Sequence, residues 1–344
     1  MRPYSVAIDL TYRCNLRCLH CYNQSGSIRS GKAELTEGEL IILLKDIASL
    51  APQSVCFCGG EPTIRKEMIL SGTQIIKQNS PHTNVNFVTN GQLLQNEDYD
   101  KIQKAGITMV QVSLDGVTPQ THDWMRGQAG VFSKACSSLK GLNENGVVTA
   151  VSFIPTKRNV GELEQTIALC ESLGVSSFRV QPLMVMGRAR KHLLDYILSP
   201  EETKRVINIL NRKSRENAVS GKMEITWGDP IEHLINLESN LKFPSFTIGA
   251  YGDIILSPYI PIAFGNVRKH AITEYVSAGL YEYWNCKLYQ TVASEMTTPA
   301  NLYLKKFFDI PEVGTGLIPL DILDHDFKEK YNNWLHRMVR REVN

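Results

Sequence analysis

The sequence predicts an α/β fold: a partial (β/α)6 barrel of the TIM type, followed by a small C-terminal α+β extension. Three observations predict it. A short apolar, β-branched run alternates six times with a helical pattern. The helical patterns close on breakers, as at Ala105-Gly106, Asn145-Gly146 and Leu173-Gly174. The alternation stops near Met223, beyond which prolines become frequent.

The candidate strands are 6–10, 55–58, 85–89, 109–114, 149–154 and 178–183, each short and apolar as buried parallel strands are. The first helix is the best marked. Thr36-Glu-Gly-Glu39 has the form of a capping box and opens an apolar run from Leu40. Further helical patterns lie near 67–77, 96–105, 132–143, 160–172 and 200–217. Right-handed crossovers curl such a sheet toward a barrel, and six units are too few to close one of eight strands. Beyond Met223 a hairpin is expected, 246–251 against 254–259, turning at Gly252-Asp253. Two helices and a final basic helix at 327–341 follow. The expected division is 1–220 for the barrel and 221–344 for the extension.

With 344 residues, 43% hydrophobic and 21% charged, the chain reads as an ordinary soluble protein. A net charge of +2 gives no pull toward nucleic acid. The N-terminus carries no apolar stretch of signal or membrane-span length, so neither a membrane nor export is expected, and the cytoplasm is the expected compartment. There, eight cysteines are metal ligands or small buried residues before they are disulfides. Cys56 and Cys58 are read as buried apolar residues on opposite faces of strand two, and Cys136 and Cys170 likewise as core.

Three cysteines crowd the loop after strand one: Cys14, Cys18 and Cys21. A structural zinc site is closed by four ligands, whereas a cubic iron–sulfur cluster held by three cysteines keeps one iron open. Zinc remains an alternative, with His20 or a distant cysteine as fourth ligand. In a parallel α/β sheet, ligands bind at the C-terminal strand ends, and the notable loops all fall there. Gly59-Gly60-Glu61-Pro62 follows strand two, and Thr89-Asn90-Gly91 follows strand three. Ser113-Leu-Asp115-Gly116 ends strand four, with Arg126 downstream. Thr156 and Asn159 follow strand five, and 182–188 ends strand six.

The cysteine spacing, the Gly-Gly-Glu turn and Ser-Leu-Asp-Gly, in this order, resemble the radical S-adenosylmethionine (SAM) superfamily. The resemblance implies a 4Fe–4S cluster on Cys14, Cys18 and Cys21, and SAM on its open iron. It further implies that SAM is held by His20, Gly59, Gly60, Glu61, Asn90, Ser113, Asp115, Arg126 and Asn159. The implied activity is reductive cleavage of SAM to a 5′-deoxyadenosyl radical that abstracts hydrogen from a substrate. The implied partners are a peptide or protein substrate, or alternatively a small metabolite, and an electron donor such as flavodoxin or ferredoxin. The hairpin and Gly265-Asn266-Val267 resemble the SPASM/twitch extension of such enzymes. Ser257 stands where that extension has a cysteine, and Cys286 alone remains downstream, too few for an auxiliary cluster. Cys286 is then a candidate hydrogen donor. From another class, a zinc-stabilised binding module without catalysis stays open.

Overall fold

The computed structural model describes residues 2–27, 31–228, 244–295 and 317–341. Its core is one eleven-stranded sheet in the order β11-β10-β9-β8-β1-β2-β3-β4-β5-β6-β7. Strands β1 (Ser5–Asp9), β2 (Ser54–Cys58), β3 (Asn84–Thr89), β4 (Met109–Ser113), β5 (Thr149–Phe153) and β6 (Ser177–Val180) are the six expected ones, all parallel. A seventh, β7 (Glu224–Trp227), pairs parallel with β6. The hairpin is present as β8 (Ser245–Ile248) and β9 (Asp253–Ile255), and β8 also lies parallel against β1. The parallel series therefore runs β8-β1 through β7, the order of an eight-stranded barrel. Among the described residues no pairing joins β7 to β8, so the curl stays open. Beyond β9 come β10 (Ile262–Asn266) and β11 (Ile318–Pro319).

Helices α1 (Glu37–Ser49), α2 (Lys66–Asn79), α3 (Asn96–Lys104), α5 (Val131–Glu144) and α6 (Leu163–Ser172) cover the outer face, while α4 (Pro119–Arg126) lies at the rim, its Met125 O accepting the Leu19 N–H. After β6 come α7 (Arg188–His192) and α8 (Pro200–Ser220), and in the extension α9 (Ile272–Ser277), α10 (Lys287–Glu295) and α11 (Phe327–Arg341). The capping box at Thr36 forms as expected. Its Glu39 also accepts from Arg268 Nε at 2.6 Å, so the same carboxylate ties the extension to α1. The Arg268 bond and the Thr36 backbone N–H hold Glu39 down, to about 2. Among the described residues no helix is long and apolar enough to cross a membrane.

The two faces of the sheet differ because successive side chains alternate. Ile8, Phe57, Phe87, Val110 and Val151 point outward under the helices, at no more than 1% exposure. The inward face carries Asp9, Cys56, Cys58, Asn86, Gln111, Ser113 and Ser152. Cys56 and Cys58 therefore share the inward face, contrary to the expectation that they lie on opposite sides. Residues two apart on a strand stand on one face, and their sulfurs are 3.5 Å apart. This polar inward face, walled by an apolar outer one, is the interior on which the strand-end loops open. Removing the Phe87 ring leaves a cavity in a closed core, so Phe87→Ala should lose about 3–5 kcal/mol in urea unfolding. A loss below about 1 kcal/mol would contradict that packing.

Candidate active site

The cysteine loop has no regular structure of its own; it is held by its backbone. Gly60 N–H donates to Thr11 O at 2.7 Å and Glu61 N–H to Arg13 O at 2.9 Å. This approach is why the turn after β2 needs two glycines. A Cβ on Gly59, whose φ is +129°, would stand 2.3 Å from Thr11 O, and one on Gly60 2.1 Å from Arg13 O. What comes close to these glycines in the structure is the cysteine loop.

The loop's other side meets the end of β6. Arg188 is buried, and its Nε donates to Cys18 O at 2.8 Å while its terminal nitrogens reach Ser25 O at 3.2 Å. Its backbone N–H donates to Cys21 O at 3.0 Å. Gly187, at φ +56°, lets that backbone in, since a Cβ there would lie 2.2 Å from Tyr22 O. Sequence reading placed Arg188 at a strand end and gave it no role, because its partners are carbonyls that leave no mark in sequence.

Glu61 is 1% exposed and its carboxylate is surrounded by donors. Asn90 N–H reaches it at 2.8 Å, the Thr89 hydroxyl at 2.7 Å and Thr63 N–H at 3.1 Å, and the Thr63 hydroxyl bonds it as well. Burial pushes its pKa up, against the pull of these bonds. Asn90 also donates through Nδ2 to Asn15 Oδ1 at 2.9 Å, linking the Glu61 cluster to the cysteine loop.

A second buried group lies against Cys18. Arg126 and Asp115 form an ion pair at 2.5 Å, with side chains 7% and 0% exposed. Arg126 also lies 3.9 Å from Cys18 Sγ. Burial opposes the Asp115 charge, but Arg126, His20, His122 and the Ile154 N–H together bring its pKa below the usual carboxylate range. His122 Nδ1 accepts the Asp115 backbone N–H at 3.1 Å, so its proton sits on Nε2. Burial, then Arg126, lowers His122 to about 4. The same two causes lower His20 to about 3, leaving a neutral ring beside Arg126, Asp115 and Arg188.

Asn159 is fully buried and its side chain is committed to the protein. It accepts from Thr156 N–H and hydroxyl at 2.6 and 2.9 Å and donates to Asp115 O and Ile154 O at 3.0 and 2.9 Å. It positions the Asp115 loop. Ser113 stands half-buried on the inward face, opposite Ser152. Cys286 lies in the extension, among Tyr283, Tyr289 and Tyr331. The structure thus brings together every expected site residue from Cys14 to Asn159 at one rim and sets Cys286 in a tyrosine cluster.

The Radical SAM superfamily matches residues 8–170, from β1 through most of α6. Over those residues the chain carries a radical SAM domain. It is 29% identical over 295 residues to the AdoMet-dependent heme synthase of Methanosarcina barkeri, covering 79% of this chain and 81% of that protein. It is 27% identical over 227 residues to the sporulation killing factor maturation protein SkfB of Bacillus subtilis, covering 66% of this chain and 51% of SkfB. The chain spans about half the length of SkfB and of several other curated relatives. Its fold is that of native anSMEcpe with bound AdoMet, with a TM-score of 0.67 and 16% identity over 99% of this chain and 100% of that one.

The cofactors of this radical SAM family are a 4Fe–4S cluster and SAM, and the residues present fit both. Among the described residues no three His, Cys, Asp or Glu side chains converge as a single ion requires. Cys18 and Cys21 stand near enough to Cys14 to act on its titration, and Cys21 acts on that of Cys18. In a cubane each thiolate takes its own iron, so three thiols need not meet at one point, whereas zinc ligands lie about 2.3 Å from a common one. Two buried atoms, Arg126 Nε and His20 Nδ1, have no protein partner and are open to a polar ligand beside Cys18. Burial raises Cys14 to about 11, so metal uptake must displace its proton.

Two outcomes follow from this geometry. Gly60→Ala forces the two loops apart, so it should cost about 1–3 kcal/mol in thermal unfolding and speed alkylation of Cys14 in the metal-free protein. Unchanged stability and alkylation would contradict the contact. For His122, the unfolded ring binds its proton near 6.5 and the folded ring only at about 4. Between those values the unfolded state holds more protons, so stability falls as pH drops through the window, by roughly 3 kcal/mol for this group. His122→Asn keeps an acceptor for Asp115 N–H and cannot titrate. Its stability should fall less steeply from pH 7 to 4 than that of the wild type, and parallel curves would refute the assignment.

Proposed function

We propose that this protein is a radical SAM enzyme whose cluster is held by Cys14, Cys18 and Cys21, and that it modifies a peptide or protein. The observation that carries the reading is Arg126. A buried guanidinium with an unpartnered Nε, 3.9 Å from Cys18 Sγ, offers a carboxylate a cationic seat beside the cluster loop. When bound, the cluster and SAM supply one-electron cleavage of SAM to methionine and a 5′-deoxyadenosyl radical.

The protein's part is binding, orientation and exclusion of water. Glu61, already fixed by donors from Thr63, Thr89 and Asn90, presents a carboxylate for an ammonium group at the mouth of the loop. Asp115 holds Arg126 in place, and Asn159 holds the Asp115 backbone. His20, neutral at working pH, offers an uncharged edge to adenine. Ser113 places a hydroxyl on the inward face, within the interior where a substrate would lie. An acidic flavodoxin or ferredoxin is the electron donor we expect, in the cytoplasm. We further read residues 221–344 as a degenerate SPASM-like extension, since its hairpin continues the barrel sheet from β1. Peptide modification is supported by the similarity to SkfB, named as a maturation protein. A small-metabolite substrate is the second reading, favoured by the long alignment with the heme synthase.

Anaerobic reconstitution with iron and sulfide, then SAM and dithionite, should yield 5′-deoxyadenosine. Cys18→Ala should yield none while keeping its far-ultraviolet circular dichroism. Equal yield from the variant would remove the cluster assignment.

A further inference from the structure

Strand β2 reads Ser54-Val-Cys-Phe-Cys58, with Val55 and Phe57 fully buried beneath the helices. Cys56 and Cys58 occupy the other face. Both are half-buried, and the Cys58 thiol donates to Cys56 Sγ at 3.5 Å. They stand in register with Ala7 and Asp9 on β1, and Cys56 with Asn86 on β3. Cys58 immediately precedes Gly59-Gly60-Glu61, so its thiol lies at the strand end on which the candidate site is built. The bond to Cys56, burial and the charge of Asp9 all push the Cys58 pKa well up, so at neutral pH it carries its hydrogen. A core thiol pair needs only apolar neighbours. This one faces the interior, with Asp9 beside Cys58 on β1 and Asn86 beside Cys56 on β3.

We propose that the Cys56–Cys58 pair is the hydrogen-atom donor to carbon-centred radicals formed inside the barrel. This rests on the radical SAM reading above. Cys58 S–H breaks homolytically and a C–H bond forms, leaving a thiyl on Cys58. Cys56 loses its proton to solvent and its sulfur joins the thiyl as a two-sulfur radical anion. That anion gives one electron to a low-potential one-electron carrier of the flavin or iron–sulfur class and becomes a disulfide. In sum, one carbon radical and two thiols give one C–H bond, one disulfide, one proton and one electron. A strand rises 3.2–3.4 Å per residue, so the two Cα atoms stand roughly 6.4–6.8 Å apart with their side chains parallel, and the disulfide closes only as the end of β2 bends to bring the Cβ atoms together, which leaves it strained. Such a bond is readily reduced, and a dithiol reductant returns the pair to its starting state.

The test needs no substrate, because thiol hydrogens exchange with solvent. The reconstituted protein is given SAM and reduced methyl viologen in D2O, with oxidised methyl viologen as the electron acceptor, then quenched, alkylated and digested with trypsin. Residues 46–65 form one tryptic peptide holding Cys56 and Cys58 and no other cysteine. Wild type should give deoxyadenosine carrying solvent deuterium, and a 46–65 peptide that has lost both thiol hydrogens and resists alkylation. Cys58→Ser should lose both signals. Cys56→Ser should keep the deuterium and lose the disulfide, and Cys286→Ser should keep both. Iron content and circular dichroism check that each variant is assembled. Should Cys58→Ser fail to hold a cluster, the wild-type peptide decides alone: dithiol after many turnovers overturns the proposal. Equal deuterium in wild type and Cys58→Ser overturns it too. No deoxyadenosine from wild type overturns instead the radical reading on which it stands.

Discussion

The structure depends on holding an irregular loop of three thiols in one shape without any covalent staple. The means is capture of the loop's carbonyls. Thr11 O and Arg13 O are taken by backbone N–H groups after β2, Cys21 O by the backbone of Arg188, and Cys18 O and Ser25 O by its guanidinium. Backbone-to-backbone contact of this kind leaves no room for side chains, which fixes glycine at 59, 60 and 187. The donors come from strand ends clamped in a continuous parallel sheet, so their positions are set by the rigid core beneath. A site built on such elements keeps its geometry without a ligand to organise it.

The same rim gathers buried charge, which is costly unless each group is answered. Glu61 is answered by neutral donors, and Asp115 by Arg126 together with the Ile154 N–H. The answers are incomplete on one side, where Arg126 Nε and His20 Nδ1 have no protein partner. Stability alone would favour replacing such a pair with apolar residues of like volume. Its placement against Cys18 sets the pair beside the cysteine loop, where the proposed ligand would bind.

Much of this was legible beforehand. Six strands follow from β-branched runs, the helices from their caps and breakers, and the site from motifs that recur at successive strand ends. What escaped has identifiable physical causes. Strand β7 is four residues long with only Ile225 buried, too brief for an alternating pattern to show. The parallel pairing of β8 with β1 joins segments about 240 residues apart, and no local periodicity encodes a contact so distant. Cys56 and Cys58 were assigned to opposite faces although strand alternation puts residues two apart together. Arg188 acts on carbonyls, which every residue possesses, so its role exists only in three dimensions.

The most direct measurement is the electron paramagnetic resonance spectrum of the anaerobically reconstituted, reduced protein with and without SAM. A 4Fe–4S signal whose line shape changes on adding SAM means that one iron is not taken by the protein and can receive the ligand. A signal of the same cluster indifferent to saturating SAM, as if His20 or another side chain capped the fourth iron, would contradict the open site.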